Sequence, residues 1–298
     1  LLNASCGRLQ RAPDLIEQTR KAFDGANVEA VIEALPADRL LDRARALLGQ
    51  GDLDALVIGG GDGSVGSVAA LVADSRVALG ILPLGTLNHF ARDAGIPADL
   101  GEAARAIVAG HTMAVDIADV NGRVFVNNSS VGLYPLMVRD REHQQEHLGR
   151  SKWPAMARAA GRAVWRFSKW RLRITVEGDT EIVETPILFV GNNRYETSLF
   201  ALGRRARLDE GQLFFYAVHA RSRLGLAKAM LRALFGRLDQ ARDFVVIGGT
   251  EARVEGRRKL LPVATDGEAL ALETPLHYRV RPKALKLLVP LASAAQPS

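Results

Sequence analysis

Gly61–Asp62–Gly63–Ser64–Val65–Gly66 fits the pattern G-x-G-x-x-G and sits between an apolar run and small apolar residues at helical spacing. Glycines at such a strand-to-helix turn let backbone amides approach a phosphate at a helix N-terminus. A dinucleotide fits poorly. The loop does not open the first strand–helix unit, and the next apolar run, Val77–Leu82, leads into Pro83–Leu84–Gly85–Thr86 with no acid for a ribose hydroxyl. The Walker loop is excluded because Gly-Lys-Ser/Thr occurs nowhere in the chain. A plain tight turn is the structural alternative. Asp62 at the loop centre would repel a bare phosphate, but a magnesium ion between carboxylate and phosphate reverses that sign. The pattern points to a metal–nucleotide complex.

A second segment, Leu82 to Arg92 (LPLGTLNHFAR), again ends a strand and opens a helix. Small and polar residues at two neighbouring strand ends are where open α/β sheets bind ligands. Two further acids stand out. Asp116 interrupts the strand-like MAVDIA, where a lone carboxylate is costly unless paired, metal-bound or turned to solvent at the strand edge. Glu268 follows Asp266–Gly267, which by itself reads as a hairpin turn between VAT and ALALE. His89 reads as a helix-start residue, with no second His or Cys at metal-ligand spacing.

The elements that position these residues change character along the chain. Ala12–Phe23, Ala37–Leu48 and Ala98–Ala109 have helical periodicity, alternating with the buried-strand runs Asp54–Ile58 and Val77–Leu82. That alternation implies a parallel sheet covered on both faces. After about residue 115 short strands dominate, and only 151–168 and 222–236 look helical. The fold class expected is α/β, a doubly wound nucleotide-binding domain over 1–115 and then a β-sandwich-like domain over 116–283. The closing segment 284–298 suits either domain. At 298 residues with 48% hydrophobic and 24% charged residues, the chain has material for two cores. Its one cysteine, Cys6, excludes an internal disulfide and suits a reducing cytosol. No signal-peptide pattern appears, and no run reaches the roughly 18 apolar residues of a membrane span.

The paired motifs carry a resemblance. Gly60–Gly61–Asp62–Gly63–Ser64 followed by PLGTLNHFAR resembles the bacterial diacylglycerol kinase-like lipid kinases, whose usual forms are GGDGT and PLGTxNDFAR. Sphingosine and ceramide kinases share that fold, and NAD kinases are more distant. Asn3–Ala4–Ser5–Cys6–Gly7, VGNNRYE (Val190 to Glu196), Asp209–Glu210–Gly211, Asp266–Gly267–Glu268 and the terminal RPKALKLLVP sit at further family positions. The resemblance implies a lipid kinase with ATP and Mg2+ as cofactors and Glu268 as the proton acceptor. It implies that Asp62 and Asp116 organise the catalytic magnesium. Asn3, Gly7, Gly60, Ser64, Thr86 and the amides of Gly61 and Gly63 would contact ATP, with Asn88 ordering loop or nucleotide. A structural magnesium would take Glu210 and the carbonyls of Arg207 and Gln212. There Glu replaces the family's Asp, one methylene longer, and magnesium tolerates poor octahedral geometry badly. Ser64 keeps the hydroxyl of the usual Thr, Gly66–Ser67 replaces a frequent Asn-Glu, and Leu35–Pro36 stands where many members have an ATP-contacting Thr.

The net charge of +6 and a pI near 9.8 favour anionic partners. Residues 150–173 hold eight Lys or Arg, no acid and all three tryptophans. On a helix over 151–168, Trp153, Met156, Ala157, Ala160, Val164 and Phe167 form one stripe, while Arg158, Arg162, Arg166 and Lys169 line another. This is either an ordinary amphipathic helix or a docking surface for an anionic membrane that presents the lipid substrate. No nucleic-acid motif accompanies it. The location expected is cytoplasmic and peripherally membrane-associated; a dimer is left open. Two competing readings remain: a NAD kinase-like phosphotransferase with a soluble acceptor, and a non-catalytic nucleotide- or lipid-binding protein.

Overall fold

A computed structural model describes residues 1–12, 14–28, 30–135, 168–196, 204–220, 222–234 and 244–294. They form two compact units: Leu1–Ile117 with Arg207–Glu210 and Arg281–Ser298, and Ala118–Ala206 with Gly211–Val280.

The first unit is built on parallel strands in the order β2 (Ala34–Leu35), β1 (Leu2–Asn3), β3 (Ala55–Gly60), β4 (Ala78–Pro83). The far end of β16 (Leu276–Leu288) pairs β4 in parallel at Leu287↔Leu79. β4 is buried at every position, as a central strand covered on both faces should be. Helix α3 (Ala37–Gln50) buries Leu40 and Ala44 and ends at Gly51 in the left-handed conformation. Helix α4 (Asp62–Val72) buries Val65, Val68, Ala69 and Val72, a run at i, i+3, i+4 and i+7. Helix α6 (Leu100–Ala109) is capped by Asp99, whose carboxylate accepts from the Glu102 amide, and it closes at left-handed Gly110. The helix expected over Ala12–Phe23 is α2 (Leu15–Asp24), which starts three residues later, and a short unexpected helix α1 (Gly7–Arg11) precedes it. Ala12, which precedes Pro13, takes φ −139° and ψ 78°, as residues before proline are driven out of the helical region.

The second unit is an antiparallel two-sheet structure. Its six-stranded sheet has the order β12 (Phe244–Gly249), β11 (Leu213–Val218), β10 (Ile187–Asn192), β7 (Asn128–Gly132), β14 (Leu260–Thr265), β15 (Glu268–Glu273). The other sheet pairs the start of β16 with β13 (Glu251–Gly256), then β8 (Trp170–Val176) and β9 (Asp179–Thr185). In β8, Leu172, Ile174 and Val176 are buried while Arg171 and Arg173 are exposed, the alternation of a half-buried strand. One core joins the sheets, with Val131, Val190, Phe215 and Val263 from the first and Leu172, Ile174, Val254 and Tyr278 from the second. Each such side chain contributes about 1.5–3 kcal/mol by leaving water.

Candidate active site

In the first unit, β3 and β4 are in register through Gly60↔Pro83, so their C-terminal loops leave the sheet side by side. The Leu84 and Gly85 amides both donate to the Gly60 carbonyl at 3.1 Å. Asp62, the first residue of α4, accepts from the Phe90 amide at 3.1 Å, tying this loop to helix α5 (His89–Asp93). Its second oxygen has no hydrogen-bond partner among the described residues. Gly85 is required by the close approach: a Cβ there would lie 2.4 Å from Gly61 Cα and 2.5 Å from Asn88 Oδ1. Asn88, in the left-handed region at φ 48°, donates through Nδ2 to the Pro83 and Gly85 carbonyls at 3.2 and 3.0 Å. Its Oδ1 is buried and has no partner among the described residues.

The Asn3 side chain donates through Nδ2 to Ser64 Oγ at 2.7 Å, which leaves the Ser64 hydroxyl hydrogen available to a ligand oxygen. Asn3 Oδ1 accepts from the Ser5 amide at 2.9 Å, and the Cys6 thiol donates to the Leu84 carbonyl at 2.9 Å. The sequence-predicted Asn3, Gly60, Gly61, Asp62, Gly63, Ser64 and Asn88 therefore come together. Thr86 is exposed on the second loop, and Gly7 opens α1.

Asp116 is 1% exposed, which rules out the solvent-facing strand edge considered from its sequence setting. Its Oδ1 accepts from the Lys283 amide at 2.8 Å, and its own amide donates to the Leu208 carbonyl at 2.7 Å. Three separate segments of the first unit are thus joined at one residue.

In the second unit, Asp266 (φ 47°) and Gly267 (φ 89°) make the two-residue turn of the β14–β15 hairpin, with Thr265 opposite Glu268. The Asp266 carboxylate accepts three backbone amides, from Val126 at 2.8 Å, Asn127 at 2.9 Å and Asn128 at 3.1 Å. Burial pushes this carboxyl up to about 6, while the three amides and the Arg205 charge pull the other way. Buried Arg205 donates to the Val126 and Asn192 carbonyls at 2.7 and 3.1 Å and to Asn127 Oδ1 at 2.7 Å. The Asn192 side chain donates to the same Val126 carbonyl at 3.0 Å. Asn192 of the VGNNRYE segment and Arg205 thus form a polar clamp on Val126 and Asn127, whose amides in turn hold the turn that presents Glu268.

Glu268 is exposed, and its Oε2 accepts from Arg123 Nη2 at 2.6 Å. Arg123 Nε also donates to Thr265 Oγ1 at 3.3 Å. Sequence reading missed Arg123, Arg205 and Asn127. The paired Asn127–Asn128 inside a strand-like run was the one available signal.

Magnesium keeps most of its waters and takes one or two carboxylates beside substrate phosphates. Asp62, with one oxygen unpaired, fits such an ion. Among the described residues no three His, Cys, Asp or Glu side chains gather into a metal cage. The second metal position fits less well. The Arg207 guanidinium pairs with Asp209 at 3.0 Å and lies in the field of Glu210 and Asp116, so a positive charge is already there. Gln212, in the other unit, has its carbonyl engaged by the Asn193 amide at 2.9 Å.

Of the basic tryptophan segment, 150–167 lies outside the described residues. Trp170 opens β8, with Arg258 5.0 Å above its ring.

Glycine loops at adjacent parallel strand ends, followed by an antiparallel sandwich, define a two-domain architecture whose strand-end loops suit a phosphate-bearing ligand. Residues 1–120 match the Diacylglycerol kinase catalytic domain, and residues 138–289 match the YegS C-terminal NAD kinase beta sandwich-like domain. The second match alone takes in more than half of the chain, which therefore belongs to the diacylglycerol kinase–YegS family. A "Probable lipid kinase YegS-like" of Citrobacter koseri is 36% identical over 136 residues, 44% of each chain. A "Diacylglycerol kinase" of Staphylococcus carnosus is 33% identical over 122 residues, 40% of this chain and 39% of that one. The chain thus spans less than half the length of these curated relatives. The crystal structure of a diacylglycerol kinase from Bacillus anthracis superposes with a TM-score of 0.70 over 98% of this chain and 96% of the other. At 21% identity that likeness is one of fold.

Proposed function

We propose that the chain is a lipid kinase that transfers the γ-phosphoryl group of ATP to a lipid hydroxyl, such as that of diacylglycerol. The observation that carries this reading is the stitched pair of loops, Gly61–Ser64 and Gly85–Asn88, at one level of a parallel sheet. The amides at the N-terminus of α4 and the Ser64 hydroxyl supply donors for phosphate oxygens, and Asn88 Oδ1, unpartnered among the described residues, is an acceptor suited to a ribose hydroxyl. Asp62 would hold magnesium, whose charge offsets that building up on the phosphoryl oxygens when bound. Glu268 takes the proton of the acceptor hydroxyl as its oxygen bonds to phosphorus and the bond to the bridging oxygen of ADP breaks. The family names of the matched domains and relatives support this assignment. The basic segment 151–173 is proposed to recruit the enzyme to an anionic bilayer. At roughly 1 kcal/mol per basic residue, four engaged side chains give reversible, salt-sensitive attachment.

The test is transfer of labelled phosphate from ATP, with magnesium, to a panel of lipids in mixed micelles and to NAD in solution. Labelled lipid is expected. Label in NAD alone would move the acceptor to the soluble class, and ATP binding without transfer to any acceptor would overturn the kinase reading.

The loop geometry makes its own prediction. Gly85→Ala places a methyl group against Gly61 backbone, which cannot rotate away as a side-chain end could. Overpacking of this kind costs about 1–3 kcal/mol. ATP affinity by titration calorimetry is expected to fall about tenfold or more. Unchanged affinity would show that the two loops do not form the nucleotide site together.

A further inference from the structure

Arg123 reaches across both flanks of the turn that carries Glu268. Thr265 and Glu268 face each other across the hairpin, and the guanidinium touches both, Nε to Thr265 Oγ1 at 3.3 Å and Nη2 to Glu268 Oε2 at 2.6 Å. The two side chains of the ion pair are 48% and 54% exposed, and exposed pairs add little to stability. The framework behind Arg123 is nevertheless heavily built. It follows the left-handed pair Asn121 (φ 50°) and Gly122 (φ 79°) and opens β6 (Arg123–Phe125), paired to Val120 of β5 (Thr112–Val120). The Asn121 side chain donates to the Glu273 and Pro275 carbonyls at 3.1 and 3.3 Å and accepts from the His277 amide at 2.7 Å. Two turns, each pinned at its base, thus bring a guanidinium onto one oxygen of one carboxylate.

Resting on the reading of Glu268 as the proton acceptor, we propose that Arg123 is its positioning residue. It holds Oε2 and fixes the carboxylate plane, and Oε1 is the oxygen that receives the proton of the acceptor hydroxyl. Arg123 exchanges no atom in the reaction. The proton passes from acceptor oxygen to Oε1, the new oxygen–phosphorus bond forms, and the electrons of the broken bond leave with ADP. A guanidinium suits the task because its planar fork contacts two partners at once, whereas an ammonium is a single point charge.

The experiment measures kcat and KM with labelled ATP, magnesium and dioleoylglycerol in mixed micelles. Wild type is compared with Arg123→Ala, Arg123→Lys, Glu268→Gln and the Arg123→Ala/Glu268→Gln double variant. A base released from its orientation loses part of its rate factor, so Arg123→Ala should lower kcat roughly ten- to a hundredfold. KM for ATP and for the lipid should stay within about twofold, because neither ground-state complex uses Arg123. Arg123→Lys should recover part of the loss. On the Glu268→Gln background, Arg123→Ala should add nothing, the mark of two residues acting as a unit. Wild-type turnover in Arg123→Ala, additive losses in the double variant, or a raised lipid KM with unchanged kcat would overturn the inference alone. A wild type that phosphorylates no acceptor overturns the base reading, and this inference falls with it.

Discussion

Asp266→Ala is expected to destabilise the second unit by about 3 kcal/mol, read as a shift of the urea unfolding midpoint. The Asp266 carboxylate accepts the amides of Val126, Asn127 and Asn128, and alanine offers them nothing. An orphaned buried donor costs about 1–3 kcal/mol, and some hydration of the three amides keeps the sum near the low end. The left-handed backbone at φ 47° adds to the loss, since Asp tolerates that region better than Ala. The penalty should also depend on pH. Burial raises the folded-state carboxyl to about 6, above the unfolded value, so the folded chain binds this proton more tightly. The stabilisation linked to that proton is complete below the usual carboxylate range and is lost as pH rises through about 6. Asp266→Ala should therefore cost more at pH 5 than at pH 8. A penalty that grows with rising pH would mean the three amides outweigh burial and hold the carboxylate ionised.

The phosphate-side loops were legible in the sequence because their chemistry is local. Gly60 to Ser64 and Leu84 to Asn88 each lie within a few residues of a buried strand, and turn chemistry with hydrophobic period reports such places directly. The hairpin turn at Asp266–Gly267 was legible for the same reason. Bonds between distant segments were not. Glu268 meets Arg123 across 145 positions, Asp266 meets Val126 across 140, and Asp116 meets Lys283 across 167. No periodicity encodes such pairs, because they depend on which strands become neighbours in the sheets. Asp116 shows the consequence. A lone acid in an apolar strand is ambiguous among metal ligand, paired group and solvent edge, and only its burial against the Lys283 amide removes the last of these. Asp266 shows the complementary case. Read as a turn residue, it is also the acceptor around which residues 126–128 are organised.

Glu268→Gln is expected to lower turnover about 10²–10⁴-fold, with ATP affinity unchanged. Glutamine keeps the length of the side chain and can still accept from Arg123 through its carbonyl oxygen, so the hairpin should remain in place. What it lacks is basicity: an amide oxygen does not take a proton at neutral pH. The substitution therefore separates a chemical role from a structural one at a single position. If Glu268 served only as a turn residue and partner of Arg123, Gln should support nearly full turnover, since an exposed ion pair is worth about 1 kcal/mol or less. If it is the base, the loss falls on kcat and not on KM, because the proton moves only as the transition state forms. Single-turnover measurement on preloaded ATP isolates that step from product release. Near-wild-type single-turnover rates in Glu268→Gln would remove this carboxylate from the chemistry and send the search for the base back to the first unit, where Asp62 at the loop pair has an oxygen unpaired among the described residues.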